Sequence, residues 1–267
     1  MKIKHIYLAA ALLFAACTTE ENTELADSRI PIEFTATCVS NATRATVDNN
    51  WRGHNESGEL VAVKIGDVVK PYKIGRIDGA TGEDADNLAK LSSDDPHYWT
   101  GKTETITAWY PYTPGEQNPP EVVVKEDQRD FFSGYVASDY IIAEQEVTFV
   151  SGQLPALEFT HRTADIKIDL VSGKGTEYLS PTVTISINGT NITTCKYTPG
   201  SREDKDAHPN QFHALLPPGT TVAAGDLIIT VMFNVGQQSG NTYKFSNKTA
   251  QTFEAGSQYS YTLTVDE

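Results

Sequence analysis

The sequence predicts an all-β protein, with two β-sandwich domains in tandem. Runs rich in Val, Ile, Thr and Tyr alternate apolar and polar residues, and they end at Gly, Pro, Asn or Asp. No stretch keeps the 3.6-residue apolar period of a helix, and the best helical candidate, residues 83–91, has two turns at most. About fifteen predicted strands are too many for one small sandwich and suit two sandwiches of about seven strands each.

The first predicted strand, residues 30–39, has one apolar and one polar face. The polar face holds Glu33, Thr35 and Thr37. Burial of the other face against a core is worth several kcal/mol at about 25 cal/mol per Å². That apolar face carries Ile32, Phe34, Ala36 and Cys38.

The last predicted strand, residues 258–265, has the same two-residue period. Its apolar set is Tyr259, Tyr261, Leu263 and Val265. A groove built for alternating apolar side chains could therefore hold either terminal strand. The same alternation predicts the strands between them, at residues 60–66, 68–74, 104–110, 121–125, 139–143, 147–150, 157–160, 164–171, 182–188, 192–197, 212–216, 227–235 and 242–245.

The N-terminus predicts export. Two lysines precede a short apolar run, which is too short to span a bilayer because a spanning helix needs about 20 residues. The run closes with Ala15-Ala16-Cys17, which resembles the lipobox of bacterial lipoproteins. That resemblance implies a signal peptide at residues 1–16, lipid attachment at Cys17 and an outer-membrane lipoprotein.

Charge and cysteine content narrow the choice of partners. The net charge of −14 becomes more negative once Lys2 and Lys4 leave with the signal, so nucleic acid is an unfavourable partner. Membrane attachment must then come from the acylated Cys17 rather than from a basic face. Cys38 and Cys195 lie in strand-like runs, where they could form one disulfide or remain two free thiols.

No residue cluster predicts an enzyme, a metal site or a cofactor site. His208 and His213 span a turn and a strand, and we expect them to be a turn histidine and a solvated strand histidine. His161 is expected to bond locally. The acidic loops at residues 78–86 and 201–206 lack the ligand spacing of a calcium site and are expected to be solvated turns.

Aromatic residues cluster within residues 97–113. Trp99, Trp109, Tyr110 and Tyr112 could form a stacking platform for sugars, or they could belong to the core. The alternation of residues 104–110 favours the core. A surface glycan-binding lipoprotein is nevertheless the main alternative function at this point.

Several motifs together resemble the fimbrillin family, the subunits of type V pili. In chain order they are the lipobox Cys17, "IPIEFTA", "TRA" at residues 43–45, "ELVAVKIGD", "TAWYPY", "LEFTHRTADIKIDL", "HALLPPGT" and "FEAGSQYSYTLTV". The resemblance implies a lipoprotein with two transthyretin-like β-sandwich domains. It also implies partners, namely other fimbrial subunits, joined by β-strand addition. For a tip subunit, a host glycan or protein is a further implied partner.

In that family an arginine-specific protease removes the first strand, and a neighbouring subunit supplies its replacement. The resemblance places the cut between Arg44 and Ala45, with Arg52 as the competing site. It divides the chain into a lipidated segment with a removable strand (17–44) and two sandwiches (45–152 and 153–267). The seam is expected near residues 150–157, or alternatively at 172–177. A Cys38–Cys195 disulfide would tether the severed strand, so two free thiols are favoured. A tip or accessory role is favoured over a stalk role.

Overall fold

The computed structural model describes residues 30–38, 59–77, 88–172, 181–196, 210–233 and 240–265 of the 267. Strands make up nearly all of the regular structure in these ranges, and the predicted all-β class is confirmed. Within the same ranges the helical content is one π-helical turn, Phe131–Tyr135, followed by a 3₁₀ turn, Val136–Ser138. No helix in the described ranges has both the length and the apolar character needed to cross a membrane.

Seven strands of the first half form one closed ring. In spatial order the ring runs β1-β4-β3-β2-β5-β6-β7 and back to β1. The sequence predicted a sandwich of two separate sheets for this half, and the structure instead has one closed sheet. Alternation of side chains predicts strands but not whether the sheet closes. The strands are β1 (Phe34–Cys38), β2 (Leu60–Ile65), β3 (Val68–Gly75), β4 (Leu88–Ser92), β5 (Thr103–Tyr110), β6 (Ile141–Thr148) and β7 (Ala156–His161).

Ten further strands build the second half. Two four-stranded sheets, β10-β9-β14-β15 and β11-β12-β8-β17, are accompanied by the pair β13-β16. The strands are β8 (Ala164–Ser172), β9 (Pro181–Ile187), β10 (Thr190–Thr193), β11 (Cys195–Lys196), β12 (Gln211–Leu216), β13 (Thr220–Val222), β14 (Leu227–Phe233), β15 (Thr242–Ser246), β16 (Gln251–Phe253) and β17 (Gln258–Val265).

The two halves have separate hydrophobic cores. The inward side chains of all seven ring strands form one buried cluster. A second cluster lies between the two four-stranded sheets and includes the alternate residues of β9 and β14. The expected domain boundary at 152/153 stays a prediction, and β7, which follows it, pairs with β6 and β1 of the ring.

A connection between β5 and β6 joins the two halves. Its extended part runs beside β10 and β11, where Thr193 bonds the backbone on both sides: its N–H donates to Glu126 O at 2.7 Å, and its carbonyl accepts from Gln128 N at 3.0 Å. The Gln128 side chain is fully buried and bonds the main chain of Leu215, donating to its oxygen at 2.9 Å and accepting from its nitrogen at 2.8 Å. A primary amide thus takes the place of a neighbouring strand at the edge of β12.

Some sequence-based predictions were wrong. The helical candidate at 83–91 overlaps β4, whose Ala89 and Leu91 are buried with strand periodicity. Packing of this short amphipathic run against the ring core decided its conformation, because helix propensity is a weak prior. The predicted strand at 121–125 forms no strand ladder, and β13 and β16 were too short for the pattern to reveal.

The connection leads to a prediction about stability. An added Cβ at Gly134 would lie 2.8 Å from both Asp127 O and Gln128 Cα, which are backbone atoms of the same connection. Gly134→Ala must shift that backbone, so we expect a loss of about 1–3 kcal/mol in the free energy of unfolding. Urea denaturation measures it. Gly101→Ala, whose Cβ would lie 3.9 Å from its nearest neighbour, is the control, and equal midpoints for the two variants would contradict the prediction.

Candidate functional site

The first strand fills a complete position in the ring. Ile32, Phe34 and Ala36 have no solvent-exposed surface, so the predicted apolar face is confirmed for these three residues. Cys38 pairs through its backbone with Phe159, and its side chain lies outside the described part of the chain. Ile32, Phe34 and Ala36 all belong to the buried cluster inside the ring.

Both edges of β1 carry a hydrogen-bonded ladder. On one side it runs antiparallel to β4, from Phe34 opposite Leu91 to Thr37 opposite Leu88. On the other side it runs parallel to β7, with Ala36 beside Leu157. A strand bonded on both edges is the piece that turns an open sheet into a closed one.

The residues before β1 extend its attachment. Ile32 N–H donates to His97 O at 2.8 Å, and Trp99 N–H donates to Ile30 O at 3.1 Å. Pro31 forms an isolated antiparallel bridge with Tyr98. The whole segment from residue 30 to residue 38 is therefore held through its main chain, which any extended sequence could supply.

Tyr72 on β3 joins this segment to the loop that holds it. Its hydroxyl donates to Ile32 O at 3.0 Å and accepts from His97 N–H at 2.9 Å. Burial raises the pKa of Tyr72 to about 12, so the hydroxyl keeps its proton across the physiological range. The Tyr72 ring lies 5.6 Å from the Phe34 ring and forms part of the pocket for it.

His97 fixes the position of that loop. Its Nε2 lies 2.9 Å from Val63 O, and because a carbonyl oxygen can only accept, Nε2 carries the proton. Burial lowers the pKa of His97, which keeps the imidazole neutral. Neither Tyr72 nor His97 was identified from the sequence, because nothing local marks a side chain that bonds a segment 34 or 40 residues away.

The outward face of β1 is polar and makes one ion pair. Glu33 Oε2 accepts from Lys90 Nζ on β4 at 2.8 Å, and both side chains are about one-third exposed. A pair this exposed contributes little to stability, about 0–1 kcal/mol. Lys90 nevertheless places a positive charge beside the position of β1, in a chain whose net charge is −14.

The predicted C-terminal strand lies in the other half of the molecule. β17 runs parallel to β8 over its full length, from Gln258 beside Asp165 to Val265 beside Ser172. Leu263 and Val265 are buried in the second core, and Tyr259 and Tyr261 are packed against it. The two terminal strands predicted to be equivalent are thus each seated in a different core.

Trp99 and Trp109 belong to the interior. Trp109 has no exposed surface and donates from Nε1 to Glu116 Oε2 at 3.1 Å, while Trp99 is 9% exposed and packs against Phe149. The interpretation of these rings as core residues is confirmed. The alternative of a sugar platform loses two of its four rings, and the other two, Tyr110 and Tyr112, are partly buried against the core.

Two histidine expectations were wrong. His213 is buried rather than solvated, and its Nδ1 lies 3.1 Å from Asp165 Oδ2. Asp165 also accepts from Tyr135 and Gln258, so three elements meet at one buried carboxylate. His161 bonds Asp139, which is distant in sequence. The Tyr135–Asp165 bond holds the connection against β8, and the His161–Asp139 contact holds it against β7, so both have a structural role.

Cys195 is a free, buried thiol. Burial raises its pKa to about 11, with a contribution from Asp130, so the thiol stays protonated and unreactive at neutral pH. It packs with Tyr135 and Leu215 at the junction between the connection and the second half. No disulfide ties it to β1.

Other predicted sites fall elsewhere. Among the described residues, no group of three or more His, Cys, Asp or Glu side chains is arranged to hold a metal. The acidic loops at 78–86 and 201–206 lie outside the described residues, as do Cys17, Arg44, Ala45 and the competing Arg52.

Solved structures share this fold. A candidate cell adhesion protein of Bacteroides uniformis has a TM-score of 0.54 and 17% identity, covering 89% of this chain and 94% of its own. Another, of Bacteroides ovatus, has a TM-score of 0.53 and 15% identity, covering 89% and 92%. A third, of Bacteroides fragilis, has a TM-score of 0.50 and 14% identity, covering 90% and 94%. At these identities the similarity shows the fold alone.

The sequence itself shows the family. No curated protein matches the chain. The fimbrillin-like family model, however, matches residues 43–267, which is most of the chain and includes sixteen of the seventeen strands that the described residues form. The protein therefore belongs to the fimbrillin-like family.

Proposed function

We propose that the protein is a fimbrial subunit that reaches the cell surface as a lipoprotein and joins its neighbours by replacement of β1. The fimbrillin-like family is one of structural and adhesive proteins rather than enzymes. The observation that carries the proposal is the double pairing of β1, which closes the ring between β4 and β7.

Removal of β1 would create an acceptor site of known shape. The inward seats of Ile32, Phe34 and Ala36 would become an apolar groove, and the facing edges of β4 and β7 would lose their hydrogen-bond partners. An unpaired edge beside an apolar groove is a template for strand addition, and the ladder does not depend on which chain supplies the strand.

The intact chain protects this site from other subunits. β1 is tethered to the ring, so its effective concentration greatly exceeds that of any free strand. A cut at Arg44 converts β1 into a separate segment and removes that advantage. Export through the signal at residues 1–16 and acylation at Cys17 would keep the precursor at the outer membrane until the cut occurs.

The pairing of β17 favours an accessory or tip subunit over a stalk subunit. All eight residues of β17 are paired with β8, and its last two apolar residues belong to the second core. Donation of this strand to a neighbour would require its removal from that core. An acceptor role requires only the loss of β1, which leaves the second core complete.

Lipid attachment is testable in the precursor. Cys17→Ala should remove the acylation site and leave the precursor outside the outer membrane. Incorporation of labelled palmitate measures the acylation, with the wild-type precursor as the positive control. Undiminished label in the variant would contradict the assignment.

The processing site is testable by limited trypsin treatment of the folded protein, followed by N-terminal sequencing. Cleavage after Arg44 should give one main product that begins at Ala45. Arg44→Ala should remain uncut at this position, whereas Arg52→Ala should be processed like the wild type. Normal maturation of Arg44→Ala combined with failure of Arg52→Ala would move the site to Arg52.

The seat of Phe34 gives a stability prediction that depends on cleavage. Phe34→Asp places an uncompensated charge in the ring core and should cost roughly 3–5 kcal/mol in the intact chain. Thr35→Asp, on the outward face, should cost far less. Urea denaturation gives the free energy of unfolding of both variants, first as intact chains and then after cleavage and release of the cut strand. If Phe34→Asp lowered stability equally in both forms, β1 would not be the segment that is lost.

A further inference from the structure

We infer that the seat of β1, meaning its position in the ring between β4 and β7, selects the sequence of the partner strand. The preferred strand carries, in succession, a bulky aliphatic residue, an acid, an aromatic residue, a polar residue and a small residue. The last strand of a second copy of this chain is disfavoured. The inference rests on the proposed strand replacement. It names the chemistry of the partner, which replacement alone leaves open.

The strongest selection comes from the Ala36 seat. Ala36 is fully buried, and its neighbours across the two ladders, Ala89 on β4 and Leu157 on β7, are fully buried as well. Interiors are packed to the density of organic crystals, so this seat holds one methyl group and little more. A longer side chain there must displace the inward side chains beside it, such as Leu157, on two strands that are themselves paired on their far sides.

The Phe34 seat makes the opposite demand. Phe34 is fully buried beside the Tyr72 ring, and Leu91 faces it across the ladder. A small residue at this position would leave a cavity, and Tyr72 cannot move to fill it because its hydroxyl is bonded at Ile32 O and His97 N. A bulky aromatic residue two positions before a small one is therefore the pattern that the floor of the groove accepts.

The rim adds a charge preference. Lys90 lies on β4 beside the position of Glu33 and pairs with it at 2.8 Å. A partner with an acid at this position would restore the pair, whereas a lysine there would meet a like charge. The Lys90 side chain is more than one-third exposed, so this preference is weaker than that of the buried seats.

The last strand of this chain does not fit the pattern in any register. Its apolar face carries Tyr259, Tyr261, Leu263 and Val265, all larger than alanine, so every in-phase register places an oversized side chain at the Ala36 seat. A shift by one residue turns the other face inward and buries its hydroxyl groups without partners. That face carries Ser260, Thr262 and Thr264. The partner strand therefore carries Ala or Gly two positions after an aromatic residue, which the last strand of a second copy does not.

The test uses the full chain cut at Arg44 and synthetic peptides that compete with its own first strand. The peptide of residues 30–37 should exchange into the cut chain, as measured by native mass spectrometry. The same peptide with Ala36→Leu should bind at least tenfold more weakly, and with Glu33→Lys modestly more weakly. Thr35→Ser, on the outward face, is the matched control and should bind like the parent peptide.

The peptide of β17 supplies the converse comparison. It should bind more weakly than the peptide of residues 30–37, and Leu263→Ala within it should improve binding by placing a small residue two positions after Tyr261. Equal binding of the parent and Ala36→Leu peptides would overturn the inference while the strand-replacement proposal stands. If no peptide exchanged at all, strand replacement itself would fail, and the inference with it.

A measurement on the uncut protein tests the same seat without exchange. Ala36→Leu in the intact chain should lower the urea midpoint, and Leu157→Ala added to it should recover part of the loss by making room across the ladder. A double variant less stable than either single variant, or an Ala36→Leu protein as stable as the wild type, would show that the seat is not size-selective.

Discussion

The interaction on which the first half depends is the pairing of β1 with two strands that do not pair with each other. β4 and β7 lie at opposite ends of the sheet order, and β1 bonds one in antiparallel and the other in parallel orientation. Without it the sheet has two open edges and an exposed core face.

The second half is arranged so that it does not depend on β1. Its core is a separate cluster, and the edge beside β10, β11 and β12 is covered by the connection between β5 and β6. Gln128 completes that cover by bonding the main chain of Leu215 as a strand would. With this separation, the proposed release of β1 would be confined to one core, while the connection would keep the halves attached.

Buried polar groups do much of the positioning at both places. Tyr72 bonds the first strand and the loop at His97 together, and Asp165 gathers His213, Tyr135 and Gln258. Each of these groups is satisfied by a partner distant in sequence, as buried polar groups must be. In the ring, Tyr72 and His97 give the position of Phe34 a fixed shape, and a groove of fixed shape is what allows size to discriminate between strands.

The sequence by itself determined the all-β class, the positions of most strands and the inward faces of β1 and β17, because a period of two is a local property of the chain. It could not determine that the ring closes, that residues 88–92 are a strand, or that His213 is buried, because these depend on partners far along the chain. Tertiary structure alone placed Ala36 between Ala89 and Leu157 and Phe34 beside Tyr72. Alternation specifies which side chains turn inward, whereas the space that each one meets is set by the strands on either side.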